Sequence, residues 1–214
     1  MPTRNYTAAD HWIHALDQAL QTVFGPTPSP GRPTPADAKT DATVDVRGRD
    51  LAARLMRINH AGEIAAQALY QGQALSARHP RVRETMEQAA QEENDHLAWT
   101  AQRIDELGGH TSRLNPLWYG GSFALGALAG IAGDKWSLGF VAETERQVVR
   151  HLDSHLAQLP VEDEKSRSIL EQMRADEQQH ATTAIEAGAA DLPAPVKTLM
   201  GWMSKIMTRT AYWV

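Results

Sequence analysis

Glu93-Asn94-Asp95-His96 and Glu177-Gln178-Gln179-His180 are the two stretches whose reading decides how the chain folds. Both read Glu-x-x-His. On an α-helix, residues three apart share a face and lie about 4.5 Å apart along the axis. A Glu and a His so placed can bind one metal ion or two neighbouring ones. Outward from each pair, a lone Glu stands at a similar distance. Glu63, in His60-Ala61-Gly62-Glu63, comes 30 residues before Glu93, and Glu145, in Glu143-Thr144-Glu145, comes 32 before Glu177. A solitary Glu-x-x-His usually sits on a solvated helix face. Two copies, each with a Glu at the same remove, form a pattern that a solvated face does not require.

The spacing has a geometric meaning. A straight helix from Glu63 to Glu93 would separate them by about 45 Å. Only a hairpin turning near residue 78 brings them level, and His79-Pro80 sits there. Proline disfavours continuing a helix through that point. The midpoint of the second pair is residue 161, where Leu159-Pro160-Val161 sits. The chain is therefore expected to be all-α: a ferritin-like four-helix bundle with a di-metal core. Such bundles take one Glu from each of two helices and Glu-x-x-His from each of the other two.

The expected metal ligands are Glu63, Glu93, His96, Glu177 and His180, with Glu145 or its neighbour Glu143 as the sixth. Residues two apart on a helix face different ways, so only one of that pair can serve, and the hairpin midpoint does not choose. Burying four unpaired carboxylates is prohibitive; two divalent ions would balance them. Glu and His suit iron or manganese. Glu93 and Glu177 are expected to bridge the ions, since their helices also supply the histidines. His60 is read either as a hydrogen-bond partner of a ligand or as a solvated side chain.

Composition narrows the functions. The 214 residues fit one domain with appendages, and the net charge of −5 comes without a basic cluster, so nucleic acid is not expected as a partner. The chain has no cysteine. Disulfides, thiol catalysis, Cys-ligated iron–sulfur clusters and Cys-rich zinc sites are excluded. The first residues show no basic segment followed by an apolar run, so no secretory signal is read there.

Three regions are expected. Residues 1–24 read as an amphipathic helix, with Trp12, Ile13, Leu16, Leu20, Val23 and Phe24 at roughly helical spacing. Residues 25–48 are rich in Pro, Thr, Asp and Ala and read as an extended, poorly ordered linker. Residues 49–214 carry the bundle, its first helix expected to be capped by Asp50. Within it, Leu114 to Gly133 holds no charged residue. That stretch is read as a buried crossover between the hairpins, an apolar element dipping into a membrane surface, or a membrane span weakened by its glycines. Gly126 and Gly130 would permit close helix packing. The last helix, after Pro193 and Pro195, sets Trp202 and Trp213 beside Lys197, Lys205 and Arg209. It suits a membrane interface, or caps the bundle.

Several segments together resemble the demethoxyubiquinone hydroxylase family: Ile58-Asn59-His60-Ala61-Gly62-Glu63, Tyr70-Gln71-Gly72-Gln73, Glu93-Asn94-Asp95-His96, Pro116-Leu117-Trp118 and Asp176-Glu177-Gln178-Gln179-His180. The resemblance runs from about Arg49 to Val214. It implies a membrane-associated monooxygenase with two iron ions per chain, which hydroxylates the ring of demethoxyubiquinol in ubiquinone biosynthesis. It also implies Glu145, not Glu143, as the sixth ligand, because the family's ligand there precedes a His by six residues, here His151. His60 and His151 are then expected beside the ligands rather than on the metal. The N-terminal extension is a departure, and no function is carried onto residues 1–48.

From this follow the expected partners. They are a polyprenyl quinol, O2, an external reductant (NADH or a reductase), the cytoplasmic face of the cell membrane and other ubiquinone-biosynthesis proteins. Trp118, Tyr119, Phe123 and Gly126 are expected to line the quinol entrance, aromatic rings flanking the head and glycines leaving room for the tail. Competing functions keep the metals: a ferritin-like ferroxidase or iron store, a manganese catalase, or a non-enzymatic quinone carrier.

Overall fold

The computed structural model describes residues 8–40 and 45–214. Residues 1–7 of the expected first helix, the side chain of Trp12 and linker residues 41–44 lie outside the described residues. Seven α-helices follow in order: α1 Ala8–Phe24, α2 Val46–Ser76, α3 Pro80–Glu106, α4 Asn115–Ala132, α5 Asp134–Gln158, α6 Glu164–Glu186 and α7 Ala194–Ala211. Among the described residues there is no strand. Helices α2 and α3 form one antiparallel hairpin, α5 and α6 the other, and α4 crosses between them. This is the ferritin-like bundle expected from the spacing.

Both hairpins turn at their prolines. Pro80 occupies the first turn of α3, where its missing N–H costs nothing, and the His79 side chain accepts from the Arg81 N–H at 3.3 Å. Asp163 begins α6 by accepting from the Ser166 N–H at 3.0 Å. The cap of α2 differs from expectation. It is Asp45, which accepts from the Gly48 N–H at 2.7 Å, and the helix runs on through Asp50 as an ordinary interior residue. Leu55, Met56, Trp99, Leu152, Leu170 and Met173 belong to one buried core to which both hairpins contribute. The backbones approach more closely within each hairpin than between the two, where side chains make the contact.

The uncharged stretch is a helix with two unlike faces. Toward α2 it presents Tyr119, Phe123, Gly126 and Gly130. A Cβ on Gly126 would meet the Leu69 carbonyl oxygen, and one on Gly72 would meet that of Phe123. The helices thus approach backbone to backbone, the use expected of the small residues. Away from α2, Leu117, Leu128 and Ile131 are exposed. No helix among the described residues is long and apolar enough to cross a membrane.

The segment before α2 departs most from expectation. Residues 25–40 lie as an extended strap against the body rather than as a loose linker. Ala36 is buried in the main core, Ser168 donates its hydroxyl to the Pro35 carbonyl at 3.3 Å, and Arg32 reaches between α3 and α6. Side-chain contacts from the bundle supply the order that the strap's own composition does not. Helix α1 packs through Ala19 and Val23, leaving Ile13, Leu16, Leu20 and Phe24 exposed.

Candidate metal centre and apolar cavity

Glu93 and His96 come from α3, Glu177 and His180 from α6, Glu63 from α2 and Glu145 from α5. Helical spacing turns each Glu-x-x-His inward, and all six side chains meet where the hairpins face each other. Ligand atoms of Glu63, Glu93, His96 and Glu177 lie within 4.8 Å of one another. Glu63, Glu93, Glu145 and Glu177 are each at most 3% exposed.

The histidines organise the centre. His96 Nδ1 stands 3.0 Å from Glu177 Oε1, 3.1 Å from Glu93 Oε2 and 3.4 Å from Glu63 Oε2. His180 Nδ1 stands 3.0 Å from Glu177 Oε2 and 3.6 Å from Glu93 Oε1. Glu93 and Glu177 therefore each turn one oxygen to either histidine, as bridging carboxylates must. Glu145 adjoins Glu177 and accepts from the Tyr70 hydroxyl.

The electrostatics are those of a site short of positive charge. Burial, with repulsion from Glu93, holds the Glu63 carboxyl well above its usual range. Burial, with repulsion from Glu177 and Glu93, does the same to Glu145. Burial would lower the His180 ring, but Glu177 outweighs it and raises the ring to about 9. Glu93 Oε1 and Glu177 Oε1 are buried without a well-aligned hydrogen bond, although His96 Nδ1 stands 3.0 Å from the second. Orphaned carboxylate oxygens and mutually repelling carboxyls fit a pair of divalent cations.

The other candidates fall elsewhere. Glu143 is buried on α5 but accepts from Gln147 at 2.9 Å and from Arg150 at 3.4 Å. His151 contacts Ser204 Oγ through Nε2 at 2.9 Å. His60 is buried, its ring lowered to about 4 by that burial, with Nδ1 unpartnered. It borders a polar cavity of about 700 Å³ beneath α1, with Gln67, Gln71 and Asn94.

A second cavity, of about 370 Å³, leads from the surface between α4 and α7 down to Glu63. Leu69, Leu117, Leu125, Phe140, Met200 and Met207 give it apolar walls, and Asn59, Trp118, Thr144 and His151 add polar atoms. Of the four expected entrance residues, Trp118 lines it. Tyr119 and Phe123 face the other way, into the cluster with Ile64 and Leu97, and Gly126 is spent on the α2 contact. The face that lines the cavity is instead Leu117, Trp118, Gly121, Ser122 and Leu125.

The family model of ubiquinone biosynthesis protein COQ7 matches residues 50–211. The chain belongs to the COQ7 family. It is 56% identical to a 3-demethoxyubiquinol 3-hydroxylase of Nitrosococcus oceani over 214 residues, all of both chains. It is 58% identical to proteins of that name from Stutzerimonas stutzeri, covering 99% of each chain, and Azotobacter vinelandii, covering 98% of this chain and 97% of that one.

Around this COQ7-family centre lie residues the sequence reading missed. His96 Nε2 is 3.0 Å from Asp176 Oδ2, and His180 Nε2 is 2.7 Å from Glu92 Oε2. Each acid immediately precedes a cluster Glu and holds the histidine of the opposite hairpin. A carboxylate behind a histidine fixes its ring and raises its basicity. The signal was present: both motifs are doubled acids, Glu92-Glu93 and Asp176-Glu177. Tyr70 also had one, lying seven residues after Glu63 and hence on nearly the same helix face.

Proposed function

We propose that the protein is a 3-demethoxyubiquinol 3-hydroxylase: an O2-dependent monooxygenase that uses two iron ions to hydroxylate a 2-polyprenyl-3-methyl-6-methoxy-1,4-benzoquinol. The observation that carries this is the junction of the buried Glu and His cluster with an apolar cavity at Glu63. An iron store or catalase has no use for an apolar corridor to its metals, and a carrier has no use for the cluster. The relatives' name and the COQ7 family supply the substrate class.

One ion would be held by Glu63 and His96, the other by Glu145 and His180, with Glu93 and Glu177 bridging. When bound and reduced, the pair supplies two electrons, so that one oxygen atom of O2 enters the ring and the other leaves as water. An external donor, NADH or a reductase, must restore those electrons. The cavity walls exclude water and take the isoprenoid tail. Asn59 Nδ2 and Trp118 Nε1 are buried there without acceptors, and they suit the ring oxygens of a quinol.

Turnover under labelled O2 tests the reading. The iron-loaded protein, given a demethoxyquinol analogue and a reductant, should place one labelled atom in the product, read by mass spectrometry. Unlabelled product, or O2 consumption without hydroxylated quinol, would refute it. Trp118→Phe keeps the ring but removes the donor. It should raise the KM about tenfold with iron content unchanged, as befits the loss of roughly one hydrogen bond.

We place the protein peripherally on the cytoplasmic face of the membrane; the cavity mouth supports contact with a membrane surface. Leu117 and Leu128 on α4, and Leu199, Trp202 and Ile206 on α7, are exposed around it. A polyprenyl quinol partitions into the bilayer, so this surface would set the entrance against its source. Leu117→Asp with Leu128→Asp and Trp202→Asp should abolish co-sedimentation with anionic liposomes while the metals stay bound. Wild-type protein that remained wholly in the supernatant would rule this placement out.

A further inference from the structure

Arg32 lies in the strap, outside the 50–211 span of the family model. Its guanidinium nevertheless sits against the metal centre. Nε donates to Asp95 Oδ2 at 2.6 Å, and Nη2 donates to Asp176 Oδ2 at 2.8 Å. That same Asp176 oxygen faces His96 Nε2 at 3.0 Å. The contact is built up from several sides. The Gly31 N–H donates to Asp95 Oδ1 at 2.6 Å, and the guanidinium carbon lies 4.9 Å from the centre of the Trp99 ring. The Trp99 ring is itself 5.5 Å from that of His96.

We propose that Arg32 is a positioning residue for the metal centre, clamping Asp176 so that it holds the His96 ring in one orientation. An Asp side chain turns freely about two torsions unless its oxygens are held. Gln172 donates to Asp176 Oδ1 at 2.9 Å, and Arg32 takes the other oxygen, leaving the carboxylate one setting. A guanidinium serves because its fixed fork spans two carboxylates, from α3 and α6, which an ammonium cannot do with the same geometry. The second histidine has no such clamp. Its partner Glu92 has a side chain 43% exposed and is steadied by Gln88 at 2.9 Å. His96 is fully buried, whereas the His180 side chain is 11% exposed. The strap therefore makes the two halves of the centre unequal, the His96 half being the tighter.

This inference rests on the two-metal reading, and one experiment separates their fates. The protein is loaded anaerobically with ferrous iron and challenged with a colorimetric chelator. Wild type should release iron in two phases, the slow one belonging to the His96 half. Arg32→Met should speed the slow phase about tenfold, within the range for partners behind metal ligands, and leave the fast phase unchanged. Arg32→Lys should fall between. Ser168→Ala removes the strap's 3.3 Å contact at Pro35 without touching Asp176 and should release iron as wild type does. Equal acceleration of both phases in Arg32→Met, an unchanged slow phase, or a Ser168→Ala variant that behaves like Arg32→Met would overturn the proposal. Failure of wild type to hold ferrous iron would overturn the metal reading first and this inference with it. Should Arg32→Met not fold, Arg32→Lys carries the test alone: its slow phase must quicken while its melting temperature stays that of wild type.

Discussion

Glu93→Ala should leave the protein nearly free of iron, against about two ions per chain for wild type. The side chain offers Oε2 toward His96 and Oε1 toward His180, at 3.1 and 3.6 Å, so its removal takes a ligand from both ions at once. The loss in affinity should exceed the 10–100-fold that partners outside the ligand shell command. Hydroxylation should fall to background. Glu143→Ala is the control: another buried carboxylate on the same bundle, committed to Gln147 and Arg150. It should keep its iron. Metal analysis of the two purified variants decides the matter, and full iron in the Glu93 variant would refute the bridging assignment.

Gly126→Leu should unfold or severely destabilise the protein. Even a Cβ at this position collides with the Leu69 carbonyl oxygen, and backbone on both sides leaves no flexible side chain to yield. Overpacking ordinarily costs about 1–3 kcal/mol; prying α2 from α4 should cost at least the upper figure. That is a large share of the roughly 5–15 kcal/mol that holds a domain together. Gly120→Ala gives the contrast, since a Cβ there meets nothing within 4 Å. It should leave stability unchanged or raise it by up to about 1 kcal/mol through the unfolded chain. Thermal unfolding of both variants is the measurement. A Gly126→Leu protein that melts like wild type would mean that α2 and α4 are not in backbone contact.

These expectations depend on which features a one-dimensional reading can resolve. The buried Glu and His cluster was legible because helical periodicity is strict. Once Pro80 and Pro160 fixed the two turns, Glu63, Glu93, Glu145 and Glu177 had to come level. The lining of the cavity was not legible. From Leu114 to Gly133 both faces of the helix are apolar, so no polarity contrast marks which side meets α2. Trp118 and Tyr119 differ by one position and by about 100° of rotation, and nothing local says which of them faces the cavity. The strap failed for another reason. Its order comes from ion pairs with Asp95 and Asp176, far away in sequence, and composition alone predicts a chain with nothing to hold it.

The division of the cluster between two hairpins bears on how the protein is made. Translation delivers α2 and α3 first, with Glu63, Glu93 and His96, while Glu145, Glu177 and His180 are still to be synthesised. The emerging half holds three of the six candidate ligands and only part of the core that both hairpins share. The four-residue cluster that includes Glu177 cannot exist until α6 has left the ribosome. Assembly of the cluster therefore waits for α6, and a chain that ended before Glu177 would lack it.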